Sequence, residues 1–286
     1  PTMASHPASL TVGRPRRGPI GTVRDSILSL VRRRRLIWYL TESALRKGDG
    51  NSLLGTLWLV LDPTLQLAIY YLVIGVILQR PEPAFPLFLF AAILPWRWFT
   101  MAVSSGTESV RRRSMVMQQI AFPHLVLPVA AVTASLGSFV FGLIPLAGIY
   151  LFYPDRLSAW ALLTPIVMIV QLAWIAPIAI LLSALNVFYR DIGNFVKHAL
   201  RLGFYLSPAL FSYERMQRFA SEHPPAEIIL NANPMAWILN AYRDLLYFGR
   251  APDWVALALV TLASIPFTLL SIYLFRRMSP WFVKVL

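Results

Sequence analysis

Residues 184–207 read ALNVFYRDIGNFVKHALRLGFYLS, and Arg190, Asp191, Lys197, His198 and Arg201 stand there among residues otherwise suited to a lipid bilayer. An ionised side chain at the bilayer centre costs on the order of 3 kcal/mol or more. Such a cluster therefore belongs at the membrane surface, where long side chains snorkel to water or touch a partner. Other chemistries are poorly provided for. Hydrolysis of ATP needs a GxxxxGK[ST] phosphate loop, and none of the only three lysines, Lys47, Lys197 and Lys284, has that glycine frame. Proton coupling favours carboxylates well inside spans; the only candidates, Asp62 and Glu108, lie within a few residues of the cytoplasmic boundary. A membrane glycosyltransferase would want paired acids to hold a metal or act as base. The nearest approaches, Tyr189-Arg190-Asp191 and Arg243-Asp244, are single acids beside an arginine, the pattern of a structural ion pair. With no cysteine and four scattered histidines, no catalytic residue, metal site or cofactor is expected in the chain itself.

The elements that must position these residues are membrane spans. At 57% hydrophobic and 14% charged over 286 residues, the chain falls well below the roughly one quarter charged content of soluble domains, which makes it an integral membrane protein. The net charge of +13 resides almost wholly in arginine, since all but three of the 26 basic residues are Arg. They gather mostly in inter-span loops, where topology and anionic lipid account for them and nucleic acid is not needed. Segment 57–78 is 22 residues, about 33 Å as a helix, enough for a hydrocarbon core of about 30 Å. Segments 87–110, 125–152, 159–185 and 254–275 are comparable, and their internal Pro95, Pro128, Pro145, Pro165, Pro177 and Pro266 predict kinks. A fifth span over 195–213 is the shortest, because its uncharged core, 202–213, is only 12 residues. No cleavable signal pattern precedes the apolar segments, so the first span is expected to direct insertion. Pro1 and Thr2 ahead of Met3 read as a remnant of expression.

Charge supports six spans with both ends cytoplasmic. That arrangement puts 19 of the 26 basic residues inside and six outside (Arg80, Arg156, Arg215, Arg218, Arg243 and Arg250), with Arg97 within a span, as the positive-inside rule requires. Two apolar stretches do not span. Residues 27–45 carry Ile27, Leu30, Val31, Trp38 and Leu45 near helical spacing, which predicts an amphipathic interfacial helix within residues 27–50, after a disordered 1–26. Residues 214–250 hold short apolar patches separated by Pro224, Pro225 and Pro234. They are expected to form short re-entrant helices or a folded external cap before the last span.

Arg97 lies ten residues below Leu87, about 15 Å along its helix and near the bilayer middle. Glu108 is about 16 Å further along the same helix, and Asp62 is a poor match in depth. Arg97 is therefore expected either to meet an anion that crosses the membrane or to cap backbone carbonyls at the Pro95 kink.

Several short motifs carry a resemblance over most of the chain, from about Leu36 to the end. They are Ser52, Leu54-Gly55, Leu57-Trp58 and Pro63; Pro95-Trp96 and Phe99; FPHLVLP from Phe122 to Pro128; Asn186 with Tyr189-Arg190-Asp191-Ile192; Ser207-Pro208; Asn233-Pro234; and Tyr242-Arg243. In this order and placement the chain resembles the membrane permease subunits of ABC-2 type exporters, especially those for lipid-linked polysaccharides such as O-antigen, teichoic acid, capsule and galactan. The run Arg32 to Arg35, the Gly48 to Gly50 break and Arg97 depart from that pattern. The resemblance implies an all-α fold in the plasma membrane, a second copy of the chain, and two copies of a separate cytoplasmic ATPase subunit that binds ATP and Mg. The substrate would be a polyprenyl-diphosphate-linked glycan moving to the outer face in cell envelope biogenesis. It further implies ATPase contact through loops 111–124 and 187–194, which hold Arg111, Arg112, Arg113, Phe122, Pro123, His124, Tyr189, Arg190 and Asp191. Sugars pack their C–H faces on rings, so Tyr70, Trp96, Trp98, Phe99, Phe204 and Phe211, with Trp58, are candidates for the substrate path beside Arg97, whose anion would be the carrier's diphosphate. An exporter of a drug or simple lipid, and a polyprenyl-phosphate glycosyltransferase, are the alternative readings.

Overall fold

A computed structural model describes residues 19–46, 54–77, 82–114 and 123–285, all in helices and the turns that join them. Five of the helices among the described residues are long and apolar enough to cross a membrane: Trp58–Ile77, Phe85–Glu108, Val126–Phe152, Ala159–Phe188 and Trp254–Trp281.

Two helices precede the first of these, Pro19–Arg32 (α1) and Arg34–Arg46 (α2), with a break at Arg33. The chain is thus helical from Pro19, inside the stretch expected to be disordered, and the predicted single amphipathic helix is divided within its arginine run. Helix α2 lies across the third long helix, where Leu45 meets Gly137 and Thr41 Oγ1 donates to the Ala130 carbonyl at 3.4 Å. The first long helix (α3, Trp58–Tyr70) widens into a π-helical stretch, Tyr71–Ile77, and leaves most of its apolar surface exposed.

The second, α4 (Phe85–Glu108), is the centre of the structure. Pro86 sits in its first turn, where a missing N–H costs nothing, and nearly every side chain from Phe85 to Phe99 is buried. Helix α5 (Val126–Phe152) packs along one side of α4 and α6 (Thr164–Phe188) along another. Two features lock the α4–α6 pair. A Cβ on Gly106 would stand 2.6 Å from the Ala179 Cβ, so the helices meet there backbone to side chain. The buried amide of Gln171 also donates at 2.8 Å to the Pro95 carbonyl.

The fifth predicted span differs from expectation. Its helix, α7, runs over Ile192–Tyr205, 14 residues or about 21 Å, rather than 195–213. Pro208 has no N–H to give and biases Ser207 away from helical geometry, so the chain turns through residues 206–212. Three short helices follow, Tyr213–Ser221 (α8), Pro224–Asn231 (α9) and Pro234–Arg243 (α10). Helices α8 and α9 pack on each other and are largely exposed, as a cap would be. Helix α10 and its continuation Asp244–Phe248 are buried against α4 and α6, as a re-entrant segment would be. The last long helix, α11 (Trp254–Met278), opens on Asp253, whose carboxylate accepts from the Val255 and Ala256 amides at 3.0 Å. It closes on Arg276 and Arg277, a charge order that suits the helix dipole. A short tail helix, Phe282–Val285 (α12), returns to α6.

Candidate functional site

Helices α3, α4 and α7 enclose an open cleft of about 530 Å³. Residues Trp96, Arg97, Thr100, Met101 and Ser104 line it from α4, the one-face spacing of a 3.6-residue period. Helix α3 supplies Gln66 and Tyr70, and α7 supplies Lys197, Arg201, Phe204 and Tyr205. The rings form a run: Tyr70 stacks on Phe204 at 5.6 Å, and Trp96 lies 5.8 Å from Phe204 and 5.3 Å from Phe99. Of the aromatic residues expected on the path, Tyr70, Trp96 and Phe204 come together here, while Phe99 packs on Trp96 without lining the cleft. Trp98 is two positions from Trp96 and so points the opposite way. Its indole donates to Ser135 Oγ at 3.2 Å, and it packs on Phe139 in the α4–α5 core. Phe211 lines a separate apolar groove with α8 and α9, and Trp58 is exposed at the start of α3.

Arg97 faces this cleft and has an acidic partner. Its Nη2 lies 2.9 Å from the Asp62 carboxylate, and its Nη1 donates to Gln66 Oε1 at 3.4 Å. The expected mismatch in depth is therefore corrected. Rise counted along one helix says nothing about the level at which its neighbour starts, and a guanidinium on its extended stem reaches across several ångströms of that difference. Nor does Arg97 cap carbonyls at the Pro95 kink: among the described residues its hydrogen bonds go to Asp62 and Gln66.

At the Glu108 end of α4, a polar recess of about 510 Å³ joins the two loops singled out from the sequence. Glu108, the last residue of α4, pairs with Arg112 and, at 3.4 Å, with Lys197 of α7. Asn186, buried near the end of α6, donates to the Thr107 carbonyl at 3.1 Å and accepts from the Gly193 amide at 3.0 Å. Arg111 reaches the Arg190 carbonyl at 3.5 Å. Three helix ends are thus cross-tied, while Tyr189, Arg190 and Asp191 remain exposed at the tip. Among the described residues neither Arg190 nor Asp191 has an ionic partner, so they do not pair with each other. Pro123 and His124 begin the turn into α5, their carbonyls accepting from Val126 and Leu127; Phe122 lies outside the described residues. His124 Nδ1 is 3.0 Å from Ser279 Oγ. Burial first, and the Arg276 charge next, lower the His124 pKa.

The profile of the ABC-2 type transporter family matches residues 35–247. The chain belongs to the ABC-2 type transporter family. It is 31% identical to the O-antigen export system permease protein RfbA of Myxococcus xanthus over 85% of this chain and 92% of that protein. A protein of the same name from Klebsiella pneumoniae is 26% identical over 88% of this chain and 95% of its own length.

In this ABC-2 chain the most heavily bonded charged side chain is one the sequence reading placed merely outside. Arg243 is fully buried at the end of α10. Its guanidinium donates to the carbonyls of Pro208, Ala209 (2.8 Å), Phe211 (2.8 Å) and Phe88 (3.3 Å), and it lies 4.1 Å over the Phe88 ring. Its sequence neighbour Asp244 pairs with Arg250 at 2.6 Å instead, so the expected Arg243–Asp244 ion pair does not form. The signal available was the pairing of two motifs, Ser207-Pro208 and Tyr242-Arg243: a helix broken at proline frees carbonyls, and a buried arginine satisfies them.

Proposed function

We propose that this chain is the membrane-spanning permease subunit of an ATP-driven exporter that carries a polyprenyl-diphosphate-linked polysaccharide across the plasma membrane. The observation that carries the reading is the likeness to O-antigen export permeases over nine-tenths of their length. The cleft chemistry supports it, since rings at stacking distance suit sugar faces and Arg97, Lys197 and Arg201 suit phosphate oxygens. In this reading two copies of the chain assemble with two copies of a cytoplasmic ATPase, which binds ATP and Mg and docks on loops 111–124 and 187–194. The chain then has no ATPase site and no enzymatic activity of its own. The α7 segment, completed by the turn at 206–212, makes the sixth crossing, so that both ends are cytoplasmic and α1 and α2 lie along the inner surface.

Topology is open to direct test because the chain has no native cysteine. Ser221→Cys should react with an impermeant thiol reagent from outside, and Ser279→Cys should not. Labelling of position 279 from outside intact cells would overturn the six-span arrangement.

Function is tested by reconstituting the chain with its ATPase and following a lipid-linked glycan to the outer leaflet. Export should require both subunits and ATP, and a drug or simple lipid should not substitute for the glycan. In the same assay Asn186→Ala should uncouple the machine, because it releases the α4, α6 and α7 ends from one another. Glycan moved per ATP is expected to fall roughly tenfold, within the range of about 1–3 kcal/mol typical of coupling free energies, with ATP hydrolysis retained. Unchanged glycan transport per ATP would show that the cross-tie has no part in transmission.

A further inference from the structure

Arg113 stands apart from its neighbours at the foot of α4. Arg111 reaches the Arg190 carbonyl and Arg112 pairs with Glu108, but Arg113, about half buried, makes neither a hydrogen bond nor an ion pair among the described residues. Burial lowers its pKa, and a guanidinium with no anionic partner among the described residues favours an external anion.

The side chain lines a cleft of about 310 Å³ between α2, α4 and α5, which adjoins the Arg97 cleft along α4, Met101 lining both. Its polar wall is Arg112, Arg113, Ser105, Ser109 and Ser138. The Ser138 hydroxyl makes no hydrogen bond among the described residues, and the Ser105 hydroxyl is held only loosely, 3.3 Å from the Ala102 carbonyl. Ser105, three residues from the end of α4, can turn its proton toward an anion's oxygen. The other wall is apolar, with Leu45, Met101, Ala131 and Ala134.

Depth orders the two walls. Arg113 lies beyond the end of α4, whereas Met101 is seven residues up that helix and Ala134 eight residues into α5, each about 10–12 Å toward the hydrocarbon. A charged mouth at headgroup level above an apolar slot of this depth fits an amphiphile better than a soluble ion. Small side chains at Ala131 and Ala134 leave room for an acyl chain. We propose that this cleft binds the phosphate of an anionic inner-leaflet phospholipid, with Arg113 as the principal ligand, Ser105 as a donor, and an acyl chain along Met101, Ala134 and, deepest, Ser138. Bound lipid would then join α2 to the α4–α5 pair beside the coupling loops. The assignment does not depend on what the chain exports.

Intramolecular neutralisation is the rival. Outside the described residues the only acid is Asp49, a few positions beyond Leu45 of the cleft.

The full-length chain is reconstituted in phosphatidylcholine nanodiscs with graded phosphatidylglycerol, and bound phosphatidylglycerol is counted by native mass spectrometry. Arg113→Gln should weaken retention about tenfold, as loss of a charge-assisted hydrogen bond would. Arg111→Gln, an equal change of charge outside the cleft, should change it less than twofold. Ser138→Leu, which fills the slot without touching charge, should reproduce the loss. Equal effects of Arg111→Gln and Arg113→Gln would reduce the site to general surface attraction. Retention unaffected by Arg113→Gln, or raised by Asp49→Asn, would assign the arginine to Asp49 instead. Displacement of the lipid by millimolar inorganic phosphate would assign the site to a soluble anion and overturn the lipid reading.

Discussion

Arg243→Met is expected to be the most damaging single substitution in the chain, with little folded protein recovered and a thermal midpoint lowered by many degrees. The guanidinium supplies donors to four carbonyls, those of Phe88, Pro208, Ala209 and Phe211. Three of them belong to the turn that ends α7 and the fourth to the first turn of α4. Each buried acceptor left without a donor costs about 1–3 kcal/mol. Removing the charge returns part of that, because the buried cation carries its own desolvation cost. The balance expected is a loss on the order of 3–5 kcal/mol, a large part of a typical stability. Arg243→Lys should rescue little, since a single ammonium cannot span carbonyls that a planar fork reaches together. Yield of monodisperse protein and the unfolding midpoint measure both variants; a midpoint within a few degrees of the parent for Arg243→Met would remove the arginine as the clamp of this turn.

The parts of this structure legible in the sequence are those fixed by local pattern. Apolar length placed the five long helices to within a few residues, because a run such as 126–152 must be helical to satisfy its backbone in lipid. Helical spacing also places Arg97, Thr100, Met101 and Ser104 on one face of α4. What pattern did not give is which face meets which neighbour. Trp96 and Trp98 look alike as aromatic residues two apart, yet one lines the cleft and the other donates to Ser135 in the core. The lateral pairs were hidden for the same reason: Asp62 with Arg97 is separated by 35 positions and Asn186 with Thr107 by 79. Helix α7 ended early because tertiary bonds from Arg243 stabilise a break that composition alone would run through. Two tyrosine-arginine motifs, Tyr189-Arg190 and Tyr242-Arg243, read identically and ended oppositely, one exposed at a loop tip and the other fully buried.

With the proposed lipid-linked glycan as substrate, Arg97→Gln is expected to lower export about tenfold or more while leaving an assembled permease. Arg97 points one guanidinium nitrogen at Asp62, 2.9 Å away, and reaches Gln66 with the other at 3.4 Å, inside the cleft that gathers Tyr70, Trp96 and Phe204. Its side chain keeps 26% of its exposure and that of Asp62 49%, so both stay open to the cleft. A pair open on one side is accessible to exchange. A diphosphate entering the cleft offers the guanidinium a bidentate, doubly charged partner in place of one carboxylate, with Lys197 and Arg201 on the facing helix to follow. In the proposed export cycle Asp62 would compete with the phosphate for Arg97 and help to expel it afterwards. On this account Asp62→Asn should tighten retention of the lipid carrier and slow its release, the opposite direction from Arg97→Gln, and Arg97→Lys should keep part of the activity. A purely structural pair makes the contrary forecast: Asp62→Asn and Arg97→Gln impair export alike, and the exchange Asp62→Arg with Arg97→Asp restores it. Restoration by that exchange, or unimpaired export by a correctly assembled Arg97→Gln protein, would end the phosphate role of Arg97.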